Sequence, residues 1–504
     1  MAKGREESDG RVVPKGRRKA VPTAARPGGK ATTASEAVRQ LTLFHETAEA
    51  PAGDHGDADA GQPASASLVA PKSRNKVGPV LPAMTIETVS TEENLRSAFQ
   101  HVASNRGAPG PDRQGVDEVR EHLDDILPVL GNALRSGHYQ PGMVRRVWIP
   151  KPGGGQRGLG IPNVIDRLVQ QAVYQILSPH YETTFHENSH GFRPGRSCHS
   201  AIADAKQHLE AGYEWVVDLD LEKFFDRVHH QRLLARLERK VHDRPLLDLI
   251  RRMLKAKVVM PDGVVVSTEE GTPQGGPLSP LLSNIVLDEL DQELSRRGHR
   301  FVRYADDCNV YVRSERAGRR VMASIVAFIE RRLRLKVNAA KSAVARPEER
   351  HFVGFSVRRE PLDGVVEVAL SKRSKDRIYE RIRALTPRMW GQSLRDCIRQ
   401  INEYLRGWIG FFWICTDAST RTFRQLESHL RRRLRAIVLR QGSRRRRKRH
   451  LQGRKSWWAR SFVANRTLPN TFFFERGLLS LEKEWLRSRT RSASAPGQLS
   501  LVLE

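Results

Sequence analysis

Two adjacent acids, Asp306 and Asp307, break the most strand-like stretch of the chain, residues 301–312. Val302 and Tyr304 share one face before the break, and Cys308, Val310 and Val312 share one face after it. Period-two alternation on both sides of a short polar interruption predicts a β-hairpin with acids at its tip. Neighbouring carboxylates repel, and holding them together is costly unless a cation neutralises them. Asp oxygens are the hard ligands that Mg²⁺ prefers. The plain alternative is a solvated turn, since Asp is a common turn residue. Taken alone, Tyr304-Ala305-Asp306-Asp307 favours that alternative; a third carboxylate upstream reverses the balance.

That acid lies in Trp215-Val216-Val217-Asp218-Leu219-Asp220-Leu221-Glu222-Lys223-Phe224-Phe225-Asp226, where an apolar strand core runs into acids and then an aromatic pair. Metal-assisted phosphoryl transfer draws carboxylates from separate strands onto two Mg²⁺ ions roughly 4 Å apart. One ion activates the attacking hydroxyl and the other neutralises the leaving pyrophosphate. Asp220 at a strand end, with Asp306 and Asp307 at a hairpin tip, would supply that set. Asp218 and Asp226 compete for the place of Asp220, and spacing does not choose among them.

Further blocks follow one another in a fixed order. Asn105-Arg106-Gly107-Ala108-Pro109-Gly110 comes first, then a segment from Trp148-Ile149-Pro150-Lys151 through Gln156-Arg157-Gly158 to Ile161-Pro162. His190-Gly191-Phe192-Arg193-Pro194-Gly195-Arg196-Ser197 and Gly271-Thr272-Pro273-Gln274-Gly275-Gly276-Pro277-Leu278-Ser279-Pro280 precede the paired acids. Leu335-Lys336-Val337-Asn338-Ala339-Ala340-Lys341-Ser342 and Phe352-Val353-Gly354-Phe355 come after them. Seven blocks in order are far more specific than any single motif. Over most of residues 90–480 the chain resembles the group II intron-encoded reverse transcriptases and maturases of the bacterial type.

The resemblance implies an α/β fold. A right-hand polymerase, with fingers and palm carrying a mixed sheet, is followed by an α-helical thumb and maturase domain. It implies Asp220, Asp306 and Asp307 as catalytic metal ligands for two Mg²⁺ ions, because the family's first catalytic Asp precedes an aromatic by five residues, as Asp220 precedes Phe225. Phe225 would then crowd the 2′-hydroxyl of an incoming ribonucleotide; ordinary core packing beside Phe224 is its plain reading. Lys151 and Arg157 flank a glycine run that could fold over a triphosphate, Lys as a point charge and Arg as a bidentate fork. Gln274 precedes two glycines that would let a base or sugar approach the backbone. The implied partners are group II intron RNA, an RNA template with a DNA primer, and dNTPs, with a homodimer as a further expectation. The main alternatives are a splicing cofactor or RNA chaperone with a vestigial polymerase site, and a retron-like or host-co-opted reverse transcriptase.

Composition fits a large nucleic-acid enzyme. Residues 421–460 hold 16 Lys and Arg against one acid, Glu427, so that +15 of the chain's net charge of +29 lies there. Such density attracts phosphate backbones and gives steeply salt-dependent binding. It marks Arg431, Arg432, Arg433, Arg444, Arg445, Arg446 and Arg447 as RNA-binding candidates. After Arg435, however, the family's usual Trp-rich basic run is replaced by Ile437-Val438-Leu439-Arg440 and an arginine run. The four cysteines are too scattered for a zinc site or a disulfide framework, and the zinc-dependent endonuclease (HNH) domain of some relatives is not expected. No apolar stretch suits a membrane span; a cytoplasmic, nucleoid- or ribonucleoprotein-associated protein is expected.

At 504 residues the chain has room for two or three domains. Residues 1–85, rich in Ala, Gly, Pro and Ser, read as a disordered leader. Residues 86–360 read as fingers and palm, 371–480 as helical thumb and maturase domain, and 481–504 as a tail.

Overall fold

The computed structural model describes residues 81–151, 154–267, 270–272, 275–387, 393–416, 419–446 and 468–494. The expected leader lies outside these residues up to position 80. Four helices open the described chain: α1 (Ile86–Val89), α2 (Glu92–Ser104), α3 (Val116–Glu121) and α4 (Leu123–Arg135). A hairpin of β1 (Val144–Pro150) and β2 (Gln156–Ile161) precedes α5 (Val164–Glu182), α6 (Cys198–Glu210) and β3 (Trp215–Leu219). Next come α7 (His230–Leu237), α8 (Arg244–Leu254), β4 (Val258–Val259), β5 (Val265–Val266) and α9 (Ser279–Arg296). The second hairpin, β6 (Arg300–Tyr304) and β7 (Asp307–Val312), is followed by α10 (Glu315–Phe328) and β8 (Ala343–Ala345). A third hairpin, β9 (Phe355–Arg359) and β10 (Val366–Leu370), leads into α11 (Lys372–Leu385), α12 (Leu394–Phe412), α13 (Thr420–Arg446), α14 (Asn470–Phe474) and α15 (Leu481–Ser494).

The fingers sheet, in the order β2-β1-β4-β5, is mixed because β1 and β4 run parallel. The palm sheet, in the order β6-β7-β3-β8, is antiparallel throughout. Alternation in residues 301–312 predicts the hairpin, but both faces of the palm sheet are buried. Phe301, Cys308, Val310 and Val312 pack into one core with α9 and α10, while Val216, Val302 and Tyr311 pack into a second core with α6. A sheet covered on both sides leaves no solvent face on which a charge can sit cheaply. Arg303 is therefore buried in the middle of this strand.

The second core runs on into the C-terminal helices. Phe355, Val357, Val366 and Val368 of the third hairpin pack in it with Ile378, Ile401 and Leu405. Ser371 ends β10 and starts α11 by accepting the Ser374 N–H at 3.2 Å, the usual work of an N-cap. On α12 the stripe Ile398, Ile401, Leu405, Ile409 and Phe412 keeps helical spacing and is buried along its length. A tail from 481 is not what the structure has there. Leu481 and Trp485, four apart on α15, are buried at 0% and 2% exposure, and the Trp485 Nε1 donates to the Trp413 carbonyl at 3.0 Å. Among the described residues no helix is long and apolar enough to cross a membrane.

Candidate active site

The turn between β6 and β7 is two residues long. Tyr304 pairs with Asp307, so Ala305 and Asp306 form the bend. Ala305 has φ +55, a left-handed conformation that costs roughly 1–2 kcal/mol for a residue with a Cβ. Strain of this kind persists only where the surroundings impose it, and here they do. A Cβ on Gly191 would lie 2.2 Å from the Ala305 nitrogen, so the chain at 191 presses directly on the bend. The Ala305 carbonyl accepts from the Arg303 Nη1 at 2.9 Å.

Register across the palm sheet separates the competing acids. On β3 and β7, Asp218 pairs with Asn309 and Leu219 with Cys308; Asp220 follows directly after the strand, and its charge reaches Asp307. Asp218 is taken up by Arg350, whose Nε and Nη2 lie 2.7 and 2.6 Å from one carboxylate oxygen. Asp226 ends the 3₁₀ turn Phe224–Asp226 and is exposed. The Asp220 backbone is fixed by its N–H donating to Ser342 Oγ at 2.9 Å and its carbonyl accepting the Asn338 N–H at 2.8 Å. Its carboxylate lies 3.5 Å from the Lys341 ammonium.

The acids perturb one another. Burial pushes the Asp307 carboxyl up to about 7, with the charges of Asp306, Asp218 and Asp220 adding to the rise and Arg373 opposing it. Asp307 is open to solvent on one side and crowded by protein on the others. Burial also raises Asp306; Asp220 adds to that rise, and Arg157 and Arg303 oppose it. A like-charged set of hard oxygens suits a divalent cation such as Mg²⁺ in kind. Among the described residues, though, no three His, Cys, Asp or Glu side chains are gathered closely enough to hold a common ion.

The fingers hairpin brings a cation to these acids. Arg157 pairs with Ile149 across β1 and β2, is exposed, and has a charge that reaches Asp306. Lys151, exposed at the tip, donates its N–H to the Gly155 carbonyl at 3.0 Å. Gly154 and Gly155 turn the chain at φ +98 and +80, values open chiefly to glycine. Gln274 lies outside the described residues. Its neighbour Gly275 sits where a Cβ would meet the Gly160 carbonyl at 2.5 Å, so this loop passes against β2.

Phe224 and Phe225 divide their roles. Phe224 is 2% exposed and belongs to the core, whereas Phe225 is half-buried and meets Phe224 edge-on at 5.2 Å. The Phe225 carbonyl accepts the Thr272 N–H at 2.7 Å, which ties it to the segment that leads toward Gln274.

Several residues around the site escape a reading based on motifs. Arg303 is the foremost: fully buried, it pairs with an equally buried Asp291. Breaking such a pair from one side costs roughly 3–5 kcal/mol. A charge flanked by apolar strand residues is the sequence signal that could have singled it out. Arg350 carried no such signal, and although Lys341 and Ser342 close one of the ordered blocks, only the fold brings them to Asp220.

On α13 the three consecutive arginines differ. Arg431 pairs with Glu427 at 2.9 Å and lies over the Phe474 ring, and Arg433 donates to the Thr386 hydroxyl and carbonyl. Arg432 is exposed. Arg444, Arg445 and Arg446 lie on the last turn of this helix, and Arg447 lies outside the described residues.

Residues 149–357 match the reverse transcriptase (RNA-dependent DNA polymerase) family, and residues 375–457 match the group II intron maturase-specific domain. Over these two segments the chain is similar to reverse transcriptases and to group II intron maturases. Protein YkfC of Escherichia coli (strain K12) is 40% identical over 218 residues, which are 42% of this chain and 57% of that protein. Group II intron-encoded protein LtrA of Lactococcus lactis subsp. cremoris is 39% identical over 198 residues, 39% of this chain and 32% of that one. A COX1/OXI3 intron 2 protein of Saccharomyces cerevisiae is 26% identical over 379 residues, 63% of this chain and 44% of that one. The chain thus spans less than two thirds of the length of each of these relatives.

Proposed function

We propose that this chain is an RNA-directed DNA polymerase encoded by a group II intron, extending a primer 3′-hydroxyl with dNTPs on an RNA template. We further propose that it binds its intron RNA to aid splicing and mobility, as a cytoplasmic ribonucleoprotein. The observation that carries the reading is the adjacency of Asp306 and Asp307 at the hairpin tip, with the charge of Asp220 bearing on both and that of Arg157 reaching Asp306. These three carboxylates are the proposed holders of two Mg²⁺ ions, which when bound would lower the pKa of the attacking hydroxyl and neutralise the leaving pyrophosphate.

The remaining roles fall to side chains. Lys151 supplies a point charge and Arg157 a fork to the triphosphate, with Gly154 and Gly155 letting the hairpin tip bend over it. Phe225 keeps its ring beside the incoming sugar and disfavours a 2′-hydroxyl. Gln274 takes the base or sugar side of the nucleotide, on a loop that Gly275 and Gly276 let pack closely against Gly160 and Gln170. Arg432 with Arg444, Arg445, Arg446 and Arg447 meets RNA phosphates, while Arg431 and Arg433 hold the helix that presents them.

The test is primer extension by purified protein with Mg²⁺, dNTPs and an RNA template. Asp306→Asn keeps side-chain volume and removes a charged ligand, so the rate should fall by several orders of magnitude. Near-normal extension by that variant would sink the polymerase reading. Tight intron RNA binding by a wild-type protein that extends nothing would leave the splicing-cofactor alternative.

A further inference from the structure

Arg303 donates every one of its guanidinium hydrogens inside the protein. Nε and Nη2 reach the two Asp291 oxygens, the second Nη2 hydrogen meets Ser189 Oγ at 2.7 Å, and Nη1 reaches Asn284 Oδ1 at 3.0 Å and the Ala305 carbonyl at 2.9 Å. Asp291 and Asn284 lie on α9, seven residues apart, and both are fully buried. Asn284 uses its other end as well: Nδ2 donates to the Gly191 carbonyl at 2.9 Å, behind the glycine that presses on Ala305. The Arg303 backbone is held on the same side, its N–H donating to the Asn188 carbonyl and its carbonyl accepting the His190 N–H, each at 2.8 Å. A rigid helix and the segment 188–191 therefore grip the bend from two directions. What they deliver to it is the hydrogen bond on the carbonyl of its left-handed residue.

We propose that Arg303, set by Asp291 and Asn284, is a positioning residue that fixes the Ala305 peptide and thereby aims Asp306 and Asp307 for divalent-cation binding. The inference rests on the polymerase reading above. Stability alone does not explain the arrangement: a buried ion pair is often replaceable by apolar residues of like volume without loss, and a simple pair would not need a third arm on the turn. Arg presents five donors in a rigid planar fork, which a Lys ammonium cannot reproduce. Displacement of reacting groups by about 1 Å can cost on the order of a hundredfold in rate.

The experiment uses the full chain and removes both charges at once with Arg303→Met combined with Asp291→Leu, so that neither partner is left buried and unpaired. The thermal midpoint without metal should stay near the wild-type value. The rise in that midpoint on adding MgCl₂ should shrink, and kcat for primer extension should fall on the order of a hundredfold with the KM for dNTP nearly unchanged. Arg303→Lys should show the same two losses. A double variant with wild-type kcat and a wild-type MgCl₂-dependent shift overturns the inference. If that variant does not fold, Asn284→Ala decides by the same readouts: a weaker MgCl₂ shift supports the positioning role and an unchanged one overturns it. A wild-type protein that extends no primer counts against the polymerase reading, and the MgCl₂ shift then decides this inference alone.

Discussion

Arg350 closes on Asp218 with two nitrogens within 2.7 Å of one oxygen, whereas Asp220, just past the end of β3, bears on Asp307 with its charge. Two acids that spacing could not separate thus have different work. Asp218→Asn should lower primer extension modestly and the thermal midpoint measurably, because it leaves Arg350 without its partner. Asp220→Asn should abolish extension while leaving the midpoint unchanged or raised, since it relieves repulsion on Asp306 and Asp307. Equal activity losses in the two variants would refute this division.

The raised Asp307 carboxyl makes stability depend on pH in a definite direction. Its usual value is 3.8 and the fold pushes it up to about 7, so between these values the folded protein keeps a proton that the unfolded chain has lost. Stability from this group is full below the lower value and declines as pH rises through the window. Metal-free protein should lose stability from about pH 4 to about pH 7, and Asp307→Asn should flatten that slope. Mg²⁺ binds the deprotonated form, so its stabilisation should grow over the same range. Urea unfolding at several pH values, with EDTA or MgCl₂, measures both effects.

Phe225→Ala should admit ribonucleotides, because removing a half-buried ring opens space beside the sugar while Phe224 keeps the core filled. The readout is the ratio of kcat/KM for dNTP to that for rNTP, which should drop. An unchanged ratio accompanied by a lower thermal midpoint would assign Phe225 to packing.

The arginines of α13 should separate by function. Arg432→Gln, and replacement of Arg444, Arg445, Arg446 and Arg447 together by Gln, should weaken intron RNA binding without lowering the midpoint. For every phosphate that an arginine no longer neutralises, the slope of log K against log salt should fall by roughly 0.7–0.9. Extension on a short template at saturating concentration should survive. Arg433→Gln should instead destabilise the protein, because it strips donors from Thr386. An unchanged salt slope in the quadruple variant would mean that this end of the helix does not touch RNA.

Local pattern determined a good deal by itself. Alternation around Asp306 and Asp307 gave the hairpin, because such an element follows from short-range periodicity. Motif order gave the family and the nucleotide-handling candidates. It took the tertiary structure to pair Asp218 with Arg350, 132 residues away, and to bury Arg303 against Asp291 from the preceding helix. The fold also divided three neighbouring arginines between the interior and the solvent. Helix α15 shows the intermediate case, with Leu481 and Trp485 at helical spacing but too short a run to stand out until Trp413 and the core around it supplied the packing partner. Periodicity is written in neighbouring residues, whereas the partner of a charge depends on which distant segments the core brings together, and no local pattern carries that information.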